Sequence, residues 1–200
     1  MIFLRYESFR QYLKFYPITV TILGLNFIVY LITVFLSLYY SYGLVLYLLG
    51  SLSYSAEGFE IWRIFTSMFL HGGFDHFLFN AFSLFLFGPP LERMLGKVKY
   101  IIIYLASGVF GNIISIAVYG SKVNSVGASG AIYGLLGAYL FMVLYLGHRI
   151  DPQSRTTIIV ILTIGIIYSF ISPGINISAH LGGLFAGFII FSLMIRRKSQ

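Results

Sequence analysis

Two long windows of this sequence contain no Asp, Glu, Lys or Arg, and they constrain the fold more than any other feature. The first window covers residues 15–56 and the second covers residues 156–195. A helix needs about 20 mostly apolar residues to cross the roughly 30 Å hydrocarbon core of a bilayer. Charged residues make up only 10% of the chain, whereas a typical soluble domain has about a quarter of its residues charged. The sequence therefore predicts an integral membrane protein.

Further apolar segments and breaks divide the chain into six predicted transmembrane helices, termed spans 1 to 6. Pro89-Pro90 closes span 2, and residues 172–174 separate spans 5 and 6, because proline and glycine interrupt helices. The spans cover residues 18–40, 76–91, 100–119, 129–146, 156–171 and 178–195. The long connection, residues 41–75, is apolar enough to predict short interfacial or re-entrant helices. The predicted fold is an all-α six-transmembrane-helix bundle that forms one membrane domain, residues 1–200.

The positive charges fall mostly on one side of these spans. With the N-terminus in the cytoplasm, only Arg63 and Lys122 of the 13 Lys and Arg residues lie outside. The eleven inner ones are Arg5, Arg10, Lys14, Arg93, Lys97, Lys99, Arg149, Arg155, Arg196, Arg197 and Lys198. Positively charged loops tend to stay in the cytoplasm, so we expect both termini inside and a multi-pass protein of the plasma membrane. The net charge of +7 then reflects topology and lipid headgroups, and no nucleic-acid partner is expected.

Four polar side chains are predicted to lie in one layer near the outer surface. Spans 2, 4 and 6 all run inward, so their N-terminal turns meet at one depth. That depth holds His76 and Asn80 of span 2, Ser129 of span 4 and His180 of span 6. Polar side chains are costly inside a bilayer and are therefore functional candidates. The positive dipole ends of the three helices would suit a developing negative charge.

Ser129 and His180 together offer the chemistry of nucleophilic acyl transfer. A neutral imidazole can take the serine proton and later protonate the leaving amine. Gly127 and Gly130 lie on either side of the serine and leave room for a tetrahedral intermediate. Because no acidic residue lies near the outer ends of spans 4 and 6, the sequence predicts a Ser–His dyad. Tyr133, one turn after the serine, is expected either to stack on the imidazole and position it or simply to pack.

Small residues favour close contact between spans 4 and 6. The sequence contains Gly130-x-x-x-Gly134 in span 4 and Gly183-x-x-x-Gly187 in span 6. Such patterns let membrane helices touch backbone to backbone. Both patterns begin just inward of the predicted dyad, so their contact would bring the serine and the histidine together.

Several of these residues also fit simpler structural roles. Ser129 is also a suitable helix N-cap, which is compatible with a nucleophile. His71 and His76, with Asp75, are a candidate metal set, but their spacing does not put both imidazoles on one helical face, so no metal is expected. Asn80 is also a candidate for an interhelical hydrogen bond. The chain has no cysteine, which excludes disulfides and thiolate–metal sites.

Taken together, these residues resemble the rhomboid intramembrane serine proteases. The resemblance covers about residues 15–195 and is to the minimal six-helix bacterial or archaeal form. The motifs that carry it are Trp62-Arg63, His71-x4-His76-x3-Asn80, Glu92-Arg93, Gly127-Ala128-Ser129-Gly130 with Tyr133, and Ala179-His180-x2-Gly183-x3-Gly187.

The resemblance implies a role for each site residue. Ser129 would be the nucleophile and His180 the general base. The oxyanion hole would be formed by His76, Asn80 and the backbone N–H of the serine. His71 would support the outer surface of the cavity. No cofactor is implied.

The resemblance also implies the substrates, which would be transmembrane segments of single-span membrane proteins. They would be cut near the outer face, where a helix unwinds, often after a small residue. Trp62-Arg63 would anchor the long connection, or serve only as an interfacial anchor. Residues 172–178 with span 5 would form a cap and lateral gate. Membrane lipids are the other expected partners, and the oligomeric state stays open.

The predicted function is therefore that of an intramembrane serine endopeptidase, and the sequence argues against two alternatives. A non-catalytic rhomboid-like protein that binds membrane helices would usually lack the serine or the histidine, and this chain has both. A channel or transporter would carry polar residues along its whole length, whereas spans 2, 4 and 6 become apolar inward of the polar layer.

Overall fold

The computed structural model describes residues 2–3, 6–55, 58–147, 150–172 and 174–196. The elements in chain order are α1 (Phe9–Phe15), α2 (Pro17–Leu36), α3 (Tyr42–Leu48), β1 (Leu52–Ser53), α4 (Arg63–Thr66), a 3₁₀ helix (Ser67–Phe69), α5 (Phe74–Leu95), α6 (Lys97–Tyr119), a second 3₁₀ helix (Gly120–Lys122), β2 (Asn124–Ser125), α7 (Ser129–Tyr145), α8 (Pro152–Ile171) and α9 (Ile177–Arg196). The two short strands pair antiparallel. The residues of the sequence argument that lie outside the described residues are Arg5, Arg149, Pro173, Arg197 and Lys198.

α2 and α8 each have one end that lies four residues from the end of the predicted span. α2 ends at Leu36 and not at residue 40, because the N–H groups of Leu38 and Tyr39 bond to carbonyls three residues back instead of four. α8 begins at Pro152 and not at residue 156. Asp151 caps this start by accepting the N–H of Ser154 at 2.9 Å, and a proline in the first turn needs no partner for an N–H.

α5 continues through Pro89-Pro90 to Leu95, whereas the sequence prediction ends the helix at these prolines. Prolines remove helical hydrogen bonds, but membrane helices tolerate them where neighbouring helices supply other polar contacts. Here the Tyr139 hydroxyl of α7 donates to the Phe87 carbonyl at 2.8 Å, just before the prolines. The contact ties α5 to α7 within one turn of the prolines.

α7 is the enclosed helix of the fold, with twelve of its 17 residues buried. Its contact with α9 depends on glycine. A Cβ added to Gly183 would overlap the carbonyl of Gly130, and one added to Gly187 would overlap the carbonyl of Gly134. The two backbones therefore touch directly, which holds the N-terminal ends of α7 and α9 side by side.

Glu92 ties the C-terminal part of α5 to the start of α2. Its carboxylate accepts the N–H of Ile18 at 2.9 Å and the N–H and hydroxyl of Thr19 at 2.8 and 2.7 Å. The first N–H groups of a helix have no partner within the helix, and a carboxylate there also suits the helix dipole. The buried glutamate thus fixes the position of α2 against α5.

The connection between α2 and α5 is held by Arg63, which is 3% exposed. Its guanidinium donates to the Glu60 carboxylate at 2.8 Å and to the carbonyls of Tyr47 and Ser51 at 2.7 and 3.2 Å. It also lies over the rings of Tyr47 and Trp62. These contacts fold the connection into a compact unit that packs beside the site.

Within the described ranges, four helices are long and apolar enough to cross a membrane. They are Pro17–Leu36, Lys97–Lys122, Pro152–Ile171 and Ile177–Ile195. α7 is equally apolar in character but has only 17 residues. Large apolar side chains such as Phe27, Phe82 and Ile164 are exposed on the outer surfaces of the helices, as expected of a surface that faces hydrocarbon.

Candidate active site

The N-terminal ends of α5, α7 and α9 meet at a cavity of about 630 Å³. Six of the residues singled out in the sequence line it: Asp75, His76, Asn80, Ser129, Tyr133 and His180. The part of α8 near its C-terminus and the segment that follows contribute further lining residues, among them Gly165, Tyr168, Ser172, Gly174 and Asn176. The structure thus brings side chains from four helices to one polar cavity.

Ser129 and His180 are hydrogen-bonded to each other across the α7–α9 contact. The Nε2 atom of His180 lies 2.8 Å from the Oγ atom of Ser129. Ser129 is the first residue of α7, so its own N–H has no partner within the helix. A serine hydroxyl that donates to a neutral imidazole is the arrangement that can attack a carbonyl carbon. The site therefore has the geometry for acyl transfer.

Tyr133 stacks on the imidazole of His180. The ring centroids lie 4.1 Å apart and the ring planes differ by 15°. The Tyr133 hydroxyl donates to the carbonyl of Gly165 in α8 at 2.6 Å. The stacked ring covers one face of the imidazole and restricts its rotation.

Ser169 is the residue at this site that sequence reasoning missed. Its Oγ atom lies 2.8 Å from the Nδ1 atom of His180 and 2.7 Å from the hydroxyl of Tyr133. The side chain is buried in α8. The only signal in the sequence is a serine near the C-terminal end of an apolar span, which by itself does not indicate what the side chain contacts.

His76 packs against Gly127, two residues before Ser129. Its Nδ1 atom accepts the N–H of Gly72 at 3.2 Å, which leaves the proton of a neutral ring on Nε2. A Cβ added to Gly127 would come within 2.8 Å of that Nε2 atom. The backbone at Gly127 has a φ of +130°, which side chains rarely adopt, and its N–H donates to the Ser67 carbonyl at 2.9 Å. Glycine here lets the imidazole N–H approach the serine.

Asn80 lies one turn after His76 on α5 and is buried. One N–H of its side-chain amide donates to the His76 carbonyl at 2.8 Å. An amide nitrogen has two N–H groups, so a second donor is available toward the cavity that the residue lines.

His71 lies behind His76 and is not among the described residues that line the cavity. Its ring packs edge-on against the rings of His76 and Phe77, with centroids 5.5 and 5.4 Å apart. The Tyr42 hydroxyl donates to the His71 carbonyl at 2.7 Å. Burial, with a smaller contribution from the nearby His76, lowers the pKa of His71 to about 3, so the ring is neutral. The residue supports His76 by packing.

No group of three or more His, Cys, Asp or Glu side chains within the described ranges is arranged to hold a metal ion. Trp62 and Arg63 lie in the connection and not at the cavity. Trp62 Nε1 donates to the Glu60 carboxylate at 3.1 Å, and its ring lies under the guanidinium. The motif therefore shapes the connection beside the site.

Comparison with known proteins places these observations in a family context. Residues 58–197 match the Rhomboid domain family. YdcA of Bacillus subtilis (strain 168), whose name describes a rhomboid protease, is 41% identical over 201 residues, which cover 99% of this chain and 98% of YdcA.

Two other relatives match over shorter parts of their own length. The rhomboid protease GluP of Bacillus subtilis (strain 168) is 41% identical over 133 residues, or 66% of this chain and 26% of GluP. RHOMBOID-like protein 6, mitochondrial, of Arabidopsis thaliana is 36% identical over 156 residues, or 76% of this chain and 50% of that protein. This chain therefore spans nearly all of YdcA but half or less of the other two.

Proposed function

This chain belongs to the rhomboid family, and we propose that it is an intramembrane serine endopeptidase that cleaves transmembrane segments of single-span membrane proteins. The observation that carries the proposal is the 2.8 Å hydrogen bond between Ser129 Oγ and His180 Nε2 at a polar cavity. Relatives whose names describe rhomboid proteases support it. A family member that only binds membrane helices would have no need of a serine hydroxyl bonded to an imidazole.

The first half of the reaction forms an acyl-enzyme. Ser129 Oγ attacks the carbonyl carbon of the scissile peptide bond while His180 Nε2 takes the hydroxyl proton. The carbonyl oxygen of the substrate becomes an oxyanion. When the tetrahedral intermediate collapses, the C–N bond breaks and the imidazolium gives its proton to the leaving amine.

The oxyanion forms where three N–H donors converge. These donors are the Nε2–H of His76, the second amide N–H of Asn80 and the backbone N–H of Ser129. Donors that are already oriented in a site shielded from bulk water stabilise developing charge strongly, and loss of one typically lowers kcat by about 10²–10³-fold. The N-terminus of α7 adds its dipole to the same effect.

The second half of the reaction consumes water. A water molecule attacks the acyl carbon, His180 takes a proton from it, and Ser129 leaves with the proton restored to its oxygen. Hydrolysis thus needs water at membrane depth, and the polar lining of the cavity is where water can be held. No cofactor takes part in the proposed steps.

The substrate segment reaches the site from the side of the bundle at α8. This helix buries only four of its 20 residues, in contrast to α7. α8 and the residues that follow it also line the cavity. We propose that α8 and residues 172–178 form the lateral gate and cap, and that a substrate is cut near the outer face, where its helix unwinds next to a small residue.

The protein is proposed to lie in the plasma membrane with both termini in the cytoplasm. It crosses the membrane six times, by α2, α5, α6, α7, α8 and α9. Because the chain lacks cysteine, single cysteines can report this topology. In intact cells, an impermeant maleimide should label Lys122→Cys. It should label Gln153→Cys only after permeabilisation, and the reverse pattern would invert the proposed orientation.

The activity is tested with purified protein in liposomes that also contain a single-span substrate. The wild type should cleave the substrate, and Ser129→Ala and His180→Ala should not. Ser192→Ala is the matched control, because it removes a serine hydroxyl from an exposed position of α9 that is remote from the cavity. Cleavage by the Ser129→Ala variant would contradict the proposal.

A further inference from the structure

We propose that Ser169 of α8 is a positioning residue for His180 and stands where a serine–histidine–aspartate triad has its carboxylate. The inference rests on the proposed function, because it takes His180 as the base. Ser169 Oγ lies 2.8 Å from Nδ1, and Ser129 Oγ lies 2.8 Å from Nε2 of the same ring. Ser169 is not among the described residues that line the cavity, so it acts through His180 and not on the substrate.

The direction of the hydrogen bond follows from the number of protons available. A serine hydroxyl has one proton to donate. Ser169 donates it to the carbonyl of Gly165 at 2.8 Å, four residues earlier on α8, as buried helical serines often do. Its lone pairs therefore accept hydrogen bonds, and Nδ1–H of His180 is the donor. The Tyr133 hydroxyl, 2.7 Å away, donates its own proton to the same Gly165 carbonyl, so the Ser169 proton is shared between that carbonyl and the Tyr133 oxygen.

This bond selects the tautomer that the proposed reaction needs. With its proton on Nδ1, the neutral ring presents the Nε2 lone pair to Ser129. When Nε2 takes the proton of Ser129, the imidazole becomes a cation and keeps its proton on Nδ1. The hydrogen bond from Nδ1–H to Ser169 then has a charged donor and is stronger. Ser169 itself gains and loses no proton.

A hydroxyl suits this position better than a carboxylate would. Ser169 is 3% exposed and lies in an apolar helix. An ionised side chain there would have to be stabilised inside the membrane, which is costly. The hydroxyl supplies the same acceptor without a charge, and the Gly165 carbonyl and the Tyr133 hydroxyl hold it in place.

The first test compares kinetics in liposomes. Ser169→Ala should lower kcat by about 10–100-fold, the range expected for one hydrogen bond to a charged group, and leave KM within about twofold. Ser169→Thr keeps the Oγ atom and should recover most of the rate. Thr157→Ala is the matched control, since it removes a hydroxyl that bonds four residues back on the same helix but touches no site residue.

The second test observes the ring directly by ¹⁵N NMR of histidine-labelled protein, with His180→Ala used to assign the signal. The wild type should show His180 as the Nδ1–H tautomer, and Ser169→Ala should lose this preference while Ser169→Thr keeps it. An unchanged kcat and an unchanged tautomer in Ser169→Ala would overturn the inference. If the wild type cleaves nothing and its serine does not react, the proposed function fails, and the tautomer still decides whether Ser169 positions the ring.

Discussion

Replacing Gly127 with alanine should lower kcat about 100-fold by displacing His76. The new Cβ would lie 2.7 Å from Cε1 and 2.8 Å from Nε2 of the imidazole, whereas ordinary contact begins at 3.4 Å. The ring cannot move freely, because its Nδ1 accepts the N–H of Gly72. The backbone of Gly127 is held as well, because its N–H donates to Ser67.

The magnitude follows from the size of the displacement. The imidazole must shift by about 0.7 Å to restore contact distance, and a misplacement of about 1 Å at a reacting centre can cost about 10²-fold in rate. That factor corresponds to about 2.7 kcal/mol of transition-state stabilisation. The φ of +130° adds about 1–3 kcal/mol of backbone strain, which lowers the free energy of unfolding.

Gly58→Ala separates the two effects. Gly58 has a similar φ of +121° but no atom within 4 Å of an added Cβ, so its substitution should strain the backbone without touching the site. The assay is cleavage of a single-span substrate in liposomes, with thermal unfolding in detergent measured in parallel. Full activity of Gly127→Ala, or an equal loss in Gly58→Ala, would refute the assignment of His76 to the oxyanion.

Three other substitutions probe the site and its support. Tyr133→Phe keeps the ring stacked on the imidazole but removes the hydroxyl that bonds to α8, so kcat should fall by about 2–10-fold with KM unchanged. An unaltered kcat would show that the hydroxyl is dispensable. Gly183→Ala places a Cβ against the Gly130 carbonyl and should destabilise the fold by about 1–3 kcal/mol in thermal unfolding, unlike Gly24→Ala, whose Cβ meets nothing within 4 Å. Glu92→Gln weakens the charge-assisted bonds to the start of α2 and should cost about 1.5–3 kcal/mol of unfolding free energy, and equal stability of the two proteins would show that the charge is unimportant.

The sequence carried enough information for the family and for the polar layer. A helical membrane protein of the rhomboid family was predicted from charge-free windows and spaced motifs, and the comparisons confirm that family. Ser129 and His180 were placed together because their helices run in the same direction and carry glycines just below them. Those glycines do bring the α7 and α9 backbones into contact. Periodicity and helix direction are properties of the sequence, and they position residues along the membrane normal.

Contacts across the bundle could not be predicted in the same way. The Ser169–His180 hydrogen bond depends on how α8 packs against α7 and α9. A single serine in an apolar span does not indicate the angle at which the helices pack. The continuation of α5 through Pro89-Pro90 is not predictable for a similar reason, because the Tyr139 hydroxyl that bonds to α5 beside the prolines comes from a different helix. Local propensity ends helices at prolines, whereas packing between helices decides whether the break occurs.

The most direct test of the central claim is covalent labelling of Ser129. A fluorophosphonate should react with the folded wild-type protein in liposomes, and mass spectrometry should locate the adduct on Ser129, because the proposed mechanism has His180 activate this hydroxyl. The adduct should be absent from Ser129→Ala and strongly reduced in His180→Ala. No reaction of the folded wild type, or a rate of reaction unaffected by His180→Ala, would contradict the catalytic account.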